Sequence, residues 1–310
     1  MERHWGDLQE YARGLFSELG LDAITSEEVT VLPGAEEIIA LLELREQART
    51  GRWDVVVVDC APTAETLRLL ALPEALDWHV TRLLPIGRRV MRAAAPVIRA
   101  VAKISAPEEG VLNAGERLHK GLMEVRVLLT GDDASVRLVL TPEAVVVAEA
   151  RRTLTSLSLY GYRVDAVIAN RVFPEGGADP WRAGWVEAQA RQMETVRESF
   201  EPLPILRVPY LPGEPVGVEA LAVVAEELYG TADAFGPVTG EPPLRFTADE
   251  VVLSLPLAGK NDIDLARKAD ELIITAGPYR RVIALPAALA RREVAQAALR
   301  DGRLRVRFEI

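Results

Sequence analysis

The chain has 310 residues, 49% of them hydrophobic and 26% charged, an ordinary balance for one large or two modest globular domains. Its formal net charge of −10 gives no electrostatic support to general binding of nucleic acid or of an anionic membrane. The single cysteine, Cys60, excludes internal disulfides and cysteine-rich zinc sites, and the lack of a leader or a long uncharged apolar span points to the cytoplasm.

Residues 2–19 read as an amphipathic helix with Trp5, Leu8, Tyr11, Leu15 and Phe16 inward, closed by Gly20. A Pro33-Gly34 turn then leads into a helix through Leu44. Val55 to Val58 is an unbroken β-branched run, which predicts a strand buried on both faces of a parallel sheet. That strand ends on Asp59; Pro62 stops its continuation, and Thr63 is placed to cap a helix through Glu65, Leu67, Leu69 and Leu70. A carboxylate at the carboxyl end of a buried parallel strand points into the crevice where α/β sheets bind ligands. In nucleoside triphosphatases it holds magnesium, usually through water. The plainer alternative is a strand-to-helix turn with a capping aspartate.

From Pro73 to Leu128 the chain becomes helical. Ile86, Val90, Met91, Ala94, Val97, Ile98, Val101 and Ile104 form an apolar stripe among arginines, with Pro96 as a kink. Such a stripe is either packed core or an adaptable binding surface, for which Met91 and the small residues are suited. A strand at Val136 to Leu140, a helix capped by Thr141 with Pro142 in first position, and a strand at Val164 to Ala169 make one βαβ unit. A helix over Asp179 to Phe200, a strand at Ile205 to Val208 and a helix at Val218 to Leu228 follow. Gly230 to Pro243 reads as a linker. Beyond it, short alternating stretches with a Gly277-Pro278 turn give the pattern of an antiparallel sandwich. His4, His79 and His119 are scattered and suggest no metal site.

The segment DCAPTAETLRLLALPEAL resembles the switch II of the ArsA-type ATPases, which include arsenite-pump ATPases and the ATPases that guide tail-anchored membrane proteins. Asp59, Ala61, Pro62, Thr63, Thr66, Leu67 and Arg68 match the family pattern, while Cys60 and Ala64 stand where Thr and Gly are usual. The resemblance extends over nearly all of the chain. It implies ATP as ligand, Mg2+ held by Asp59 through water with Pro62 and Thr63 beside it, and Asn170, Pro209, Tyr210 and Leu211 around the adenine. It also implies a helical insertion, about 73–128, in which Val90, Met91, Val97, Ile98 and Val101 would line a groove for hydrophobic or tail-anchored protein clients. Homodimerisation and only indirect membrane contact follow from the same likeness, and the net charge of −10 argues for no nucleic-acid partner.

The family's phosphate loop ends in Gly-Lys-Thr, because magnesium needs a hydroxyl directly after the lysine. Here Lys103 precedes Ile, Lys120 Gly, Lys260 Asn and Lys268 Ala, so none can serve. The expectation is an ATPase domain over 1–229 without its first strand, phosphate loop and switch I, inactive alone, followed by a linker at 230–243. An α-crystallin-like sandwich, serving as docking module or stabilising appendage, would occupy 244–310. The zinc-clasp cysteines of the eukaryotic targeting ATPases are absent from the chain, as are the thiolates that arsenite needs. The fold class expected is α/β, a phosphate-loop NTPase parallel sheet with a helical insertion plus a small antiparallel sandwich. The alternative function is a nucleotide-independent holdase or interaction protein.

Overall fold

The computed structural model describes residues 35–60, 109–176, 179–236, 241–259 and 262–309. The expected helix at 2–19, the helix after Thr63 and the stripe from Ile86 to Ile104 lie outside them. The chain forms two compact units, Met1–Leu129 and Thr130–Ile310.

In the first unit, helix α1 (Ala35–Arg49) packs on helix α2 (Glu109–Leu129). Leu41 and Leu42 bury against Leu122 and Val125, with Ile38, Leu118 and Leu129 around them. A side chain at Gly121 would come within 2.7 Å of Arg45 Nη1 and 2.8 Å of Leu42 Cδ2, so glycine lets the two helices close. The Glu124 carboxylate accepts from Arg45 at 3.3 Å and Arg49 at 3.0 Å, tying the helices outside that seam. The helix expected through Leu44 is present and runs one turn further.

The strand expected at Val55–Val58 is not formed. These residues carry no strand hydrogen bonding and all four are exposed, Val57 at 77%. A parallel strand is held only by its neighbours' N–H and C=O groups, and among the described residues no strand pairs with this segment.

The second unit begins with the predicted βαβ unit. β1 (Val136–Leu140), β2 (Val164–Val172) and β3 (Ile205–Pro209) form a parallel sheet in the order β1-β2-β3. Helix α3 (Ala144–Tyr160) connects the first two strands, helix α4 (Pro180–Phe200) the second and third, and helix α5 (Val218–Tyr229) follows. The cap of α3 differs from expectation. Glu143 is the N-cap residue, without a side-chain cap bond, and its N–H is taken by the Thr141 carbonyl at 2.7 Å. That tight turn places Thr141 and Pro142 before the helix rather than in it.

At the other end of α3, Gly161 adopts φ 89°, and its N–H and that of Tyr162 satisfy the carbonyls of Ser158 and Leu157 at 3.0 and 2.9 Å. Arg137 on β1 reaches Asp165 on β2, the Tyr229 hydroxyl at 3.0 Å and the Ala234 carbonyl at 2.5 Å. Burial works against its charge, but the bonds to Asp165 and Tyr229 outweigh that and hold its pKa above the usual arginine value.

The remaining strands form an antiparallel sandwich. One sheet has the order β4-β5-β10-β9, from β4 (Leu244–Phe246), β5 (Glu250–Ser254), β9 (Glu293–Arg300) and β10 (Arg303–Glu309). The other is β6 (Ile263–Lys268), β7 (Glu271–Ala276) and β8 (Tyr279–Ala284). A one-turn helix, α6 (Ala287–Ala290), precedes β9. The predicted Gly277-Pro278 turn joins β7 to β8, with Gly277 at the positive φ of 56° that glycine tolerates. Between the sheets lies a core of Val251, Leu253, Leu272, Ile274, Leu304 and Val306. Leu159 of α3, fully buried, belongs to that core as well. Helix α3 thus packs on β1, β2 and α4 and also on β5 and β8. The α/β class with an antiparallel sandwich is as the sequence predicts.

Candidate functional site

The carboxyl ends of β2 and β3 lie side by side, with Val172 opposite Pro209. Strand β2 runs three residues beyond its predicted end and carries Asn170 inside it. Arg171, directly after, has φ 57°, a conformation that costs a non-glycine residue energy. The register shifts at this point, between Ala169 and Val172, near the carboxyl end of the central strand. The Arg171 N–H donates to Asn170 Oδ1 at 2.9 Å and braces the carboxamide.

Tyr210, one residue past β3, donates its N–H to the Val172 carbonyl at 2.8 Å. Its ring stacks on Phe173, with centroids 4.9 Å apart and planes 5° from parallel. Phe173 also meets Trp185 at 6.3 Å, and Trp185 meets Trp181 edge-on at 6.2 Å. Asp179 caps α4 by accepting from the N–H groups of Trp181 and Arg182, which fixes where the two tryptophans start.

Gln189, buried on α4, sets the position of Phe173. Its Oε1 accepts the Phe173 N–H at 2.7 Å and its Nε2 donates to the Arg171 carbonyl at 3.1 Å. A single side chain therefore satisfies the backbone on both sides of Val172. Neither Phe173 nor Gln189 was legible as a site residue, since their partners lie up to 37 positions away along the chain.

Of the expected base-binding set, Asn170, Pro209, Tyr210 and Leu211 thus share one end of two adjacent strands. Tyr210 is 51% exposed, leaving one ring face for a flat ligand while Phe173 backs the other. A carboxamide has both donor and acceptor, the complement of a purine edge. The donor set fits a nucleotide base.

Asp59 belongs to the other unit and follows the exposed segment, with Cys60 next to it. The Cys60 thiol is pushed above its ordinary range, first by desolvation and then by the Asp59 carboxylate. A lone carboxylate suits magnesium, which keeps several of its waters. Among the described residues no three His, Cys, Asp or Glu side chains cluster as metal ligands. Pro62, Thr63 and the groove residues Val90, Met91, Val97, Ile98 and Val101 lie outside the described residues. No described helix is long and apolar enough to cross a membrane.

Comparison with known proteins bears on both units. Residues 1–230 match the family described as anion-transporting ATPase, and residues 247–308 match the HSP20-like domain found in ArsA. A protein of Chlorobaculum tepidum, provisionally named an arsenical pump-driving ATPase, is 32% identical over all of this chain and 78% of its own length. An uncharacterised protein of Streptomyces coelicolor is 37% identical over 97% of this chain and 77% of its own. The ATPase GET3B of Arabidopsis thaliana is 27% identical over 64% of this chain and 49% of its own.

Proposed function

Because this chain belongs to the anion-transporting ATPase family, we propose that it acts as an ArsA-type ATPase that couples ATP and Mg2+ to the capture and delivery of hydrophobic protein segments. The observation that carries the nucleotide reading is the meeting of Asn170 and Tyr210 at the carboxyl ends of adjacent parallel strands, where α/β sheets take their ligands. In this reading Asn170 takes the base edge, Tyr210 offers its open ring face, and Pro209 and Leu211 close the slot. Asp59 holds Mg2+ through water, with Pro62 and Thr63 following it. Bound Mg2+ would supply charge stabilisation to the phosphates. Val90, Met91, Val97, Ile98 and Val101 line the client surface, and two copies close around the nucleotide. Arsenite is not the cargo proposed, since one cysteine cannot supply a set of thiolates.

A second reading has its own observation. No lysine of these 310 residues precedes Ser or Thr, so no phosphate-loop lysine is among them. A holdase working without nucleotide turnover fits that fact, and the ATPase reading needs the loop to be supplied in the complete polypeptide.

Phosphate release from Mg-ATP separates the two. Turnover abolished by Asp59→Asn supports the ATPase. No release, together with suppressed aggregation of an apolar helical peptide, supports the holdase. Loss of base binding in Asn170→Ala and Tyr210→Ala, read with a fluorescent ATP analogue, checks the slot directly.

A further inference from the structure

Helix α5 carries apolar residues on every side, yet it buries none of them. A helix of that kind is ordinarily a core element. One stripe, Ala220, Val224 and Leu228, is half-buried, and the helix packs on β3. A second stripe, Val218, Leu221, Ala222 and Ala225, is exposed, with Val218 at 84% and Leu221 at 53%. These residues recur at i, i+3, i+4 and i+7, the spacing at which one helix seats another. The two alanines among them let a second helix come close.

The charge along this stretch has one sign. Between Arg207 and Arg245 the sequence holds no Lys, Arg or His, but it holds Glu214, Glu219, Glu226, Glu227, Asp233 and Glu241. Glu241 is paired with Arg245 and Arg303, and Asp233 accepts from the Phe235 N–H. The other four are exposed and make no ion pair among the described residues. Glu219 and Glu226, at i and i+7, follow one edge of the exposed stripe. Glu226 and Glu227 also stand near the carboxyl end of α5, where the helix dipole disfavours a carboxylate, and the last turn holds no basic residue. Arg137, which bonds the Tyr229 hydroxyl, already has Asp165 as its carboxylate.

We propose that this face of α5 seats a cationic amphipathic helix of a partner protein. The partner's apolar stripe lies on Val218, Leu221, Ala222 and Ala225, and its Lys or Arg side chains stand beside Glu219 and Glu226. Apolar contact supplies most of the affinity, since exposed ion pairs contribute little singly, and the carboxylates select the sign of the partner. A second copy of this chain, docked through the same face, is the less suitable occupant. Two α5 helices brought together would set their glutamates against one another. The inference concerns α5 and does not depend on the nucleotide reading.

The test uses the full chain and fluorescence anisotropy of labelled peptides of about 18 residues. One has Leu at i, i+3, i+4 and i+7 with Lys between, one has the same stripe with Glu for Lys, and one is the lysine peptide shuffled so that the stripe is lost. The striped lysine peptide is expected to bind best and to weaken as salt is raised. Val218→Gln/Leu221→Gln should weaken it at least about tenfold. Val223→Gln, exposed on the same helix at 64% but outside the stripe, leaves it unchanged. Glu219→Gln/Glu226→Gln should flatten the salt dependence and narrow the gap between the lysine and glutamate peptides. All five positions are exposed, so the variants should melt with the parent, which separates recognition from folding. Failure of the striped lysine peptide to bind, equal binding of the shuffled or glutamate peptide, or equal loss with Val223→Gln would each overturn the proposal. Self-association in sedimentation velocity that Val218→Gln/Leu221→Gln abolishes would overturn it too, and would give the face to a second copy.

Discussion

The buried guanidinium of Arg281, on β8, donates through Nη1 to the backbone carbonyl of Leu159 near the end of α3. A cation at a helix C-terminus meets the negative end of the helix dipole, and a buried carbonyl there needs a donor. Thr155 on the same helix donates to the Pro256 carbonyl at 2.5 Å, so two polar bonds accompany the entry of Leu159 into the sandwich core. Arg281→Ala should lower unfolding free energy by about 2–3 kcal/mol, since a buried acceptor loses a charged donor. Urea denaturation of the two proteins checks it, and a loss below about 0.5 kcal/mol would show that the carbonyl is satisfied otherwise.

Gly161 stands against that arginine. Its φ of 89° suits glycine, and a Cβ there would lie 3.4 Å from Arg281 Nη1 and Nη2. Gly161→Ala is therefore expected to cost about 1–2 kcal/mol from the left-handed backbone, with little added by contact. Thermal melts followed by circular dichroism provide the measurement.

At the carboxyl end of β2, Gln189→Ala strands the Phe173 N–H and the Arg171 carbonyl. The expected loss is about 1–3 kcal/mol of stability. A looser Phe173-Tyr210 stack should also weaken binding of a fluorescent ATP analogue. Gln189→Glu keeps the acceptor and loses the donor, so it should fall between the two in stability.

Cys60 offers a pH test. Its raised pKa means that less thiolate is present at any given pH than in a free thiol, so alkylation by iodoacetamide at pH 8 should be slower than for the unfolded chain. Asp59→Asn removes the lesser of the two contributions, burial being the larger, and should speed the reaction. The sign for stability follows. The native state keeps this proton longer than the unfolded state, so the site costs stability as pH rises through the ordinary thiol range.

Much of the second unit was legible because each element carries its own signal. The β-branched runs of β1 and β2, the Asp179-Pro180 start of α4 and the alternation of β10 all act within a few residues. Val55–Val58 has the same local signal as β2 and forms no strand, because pairing is supplied from outside the segment. Thr141 was read as a cap from its identity, whereas the turn it makes with Glu143 decides where α3 begins. The stacking of Tyr210 on Phe173 depends on register between distant strands, which composition does not encode.

Leu159 ties the history of the two matched segments together. Recombination that moved the HSP20-like segment to another protein would carry away a core with one side missing, and would leave α3 showing an apolar side chain and a hydroxyl shaped for a departed neighbour. Transplanting either piece therefore demands repair substitutions at Thr155, Leu159 and Gly161 on one side and Arg281 on the other. Lineages that keep this helix are expected to inherit both pieces or to rewrite it.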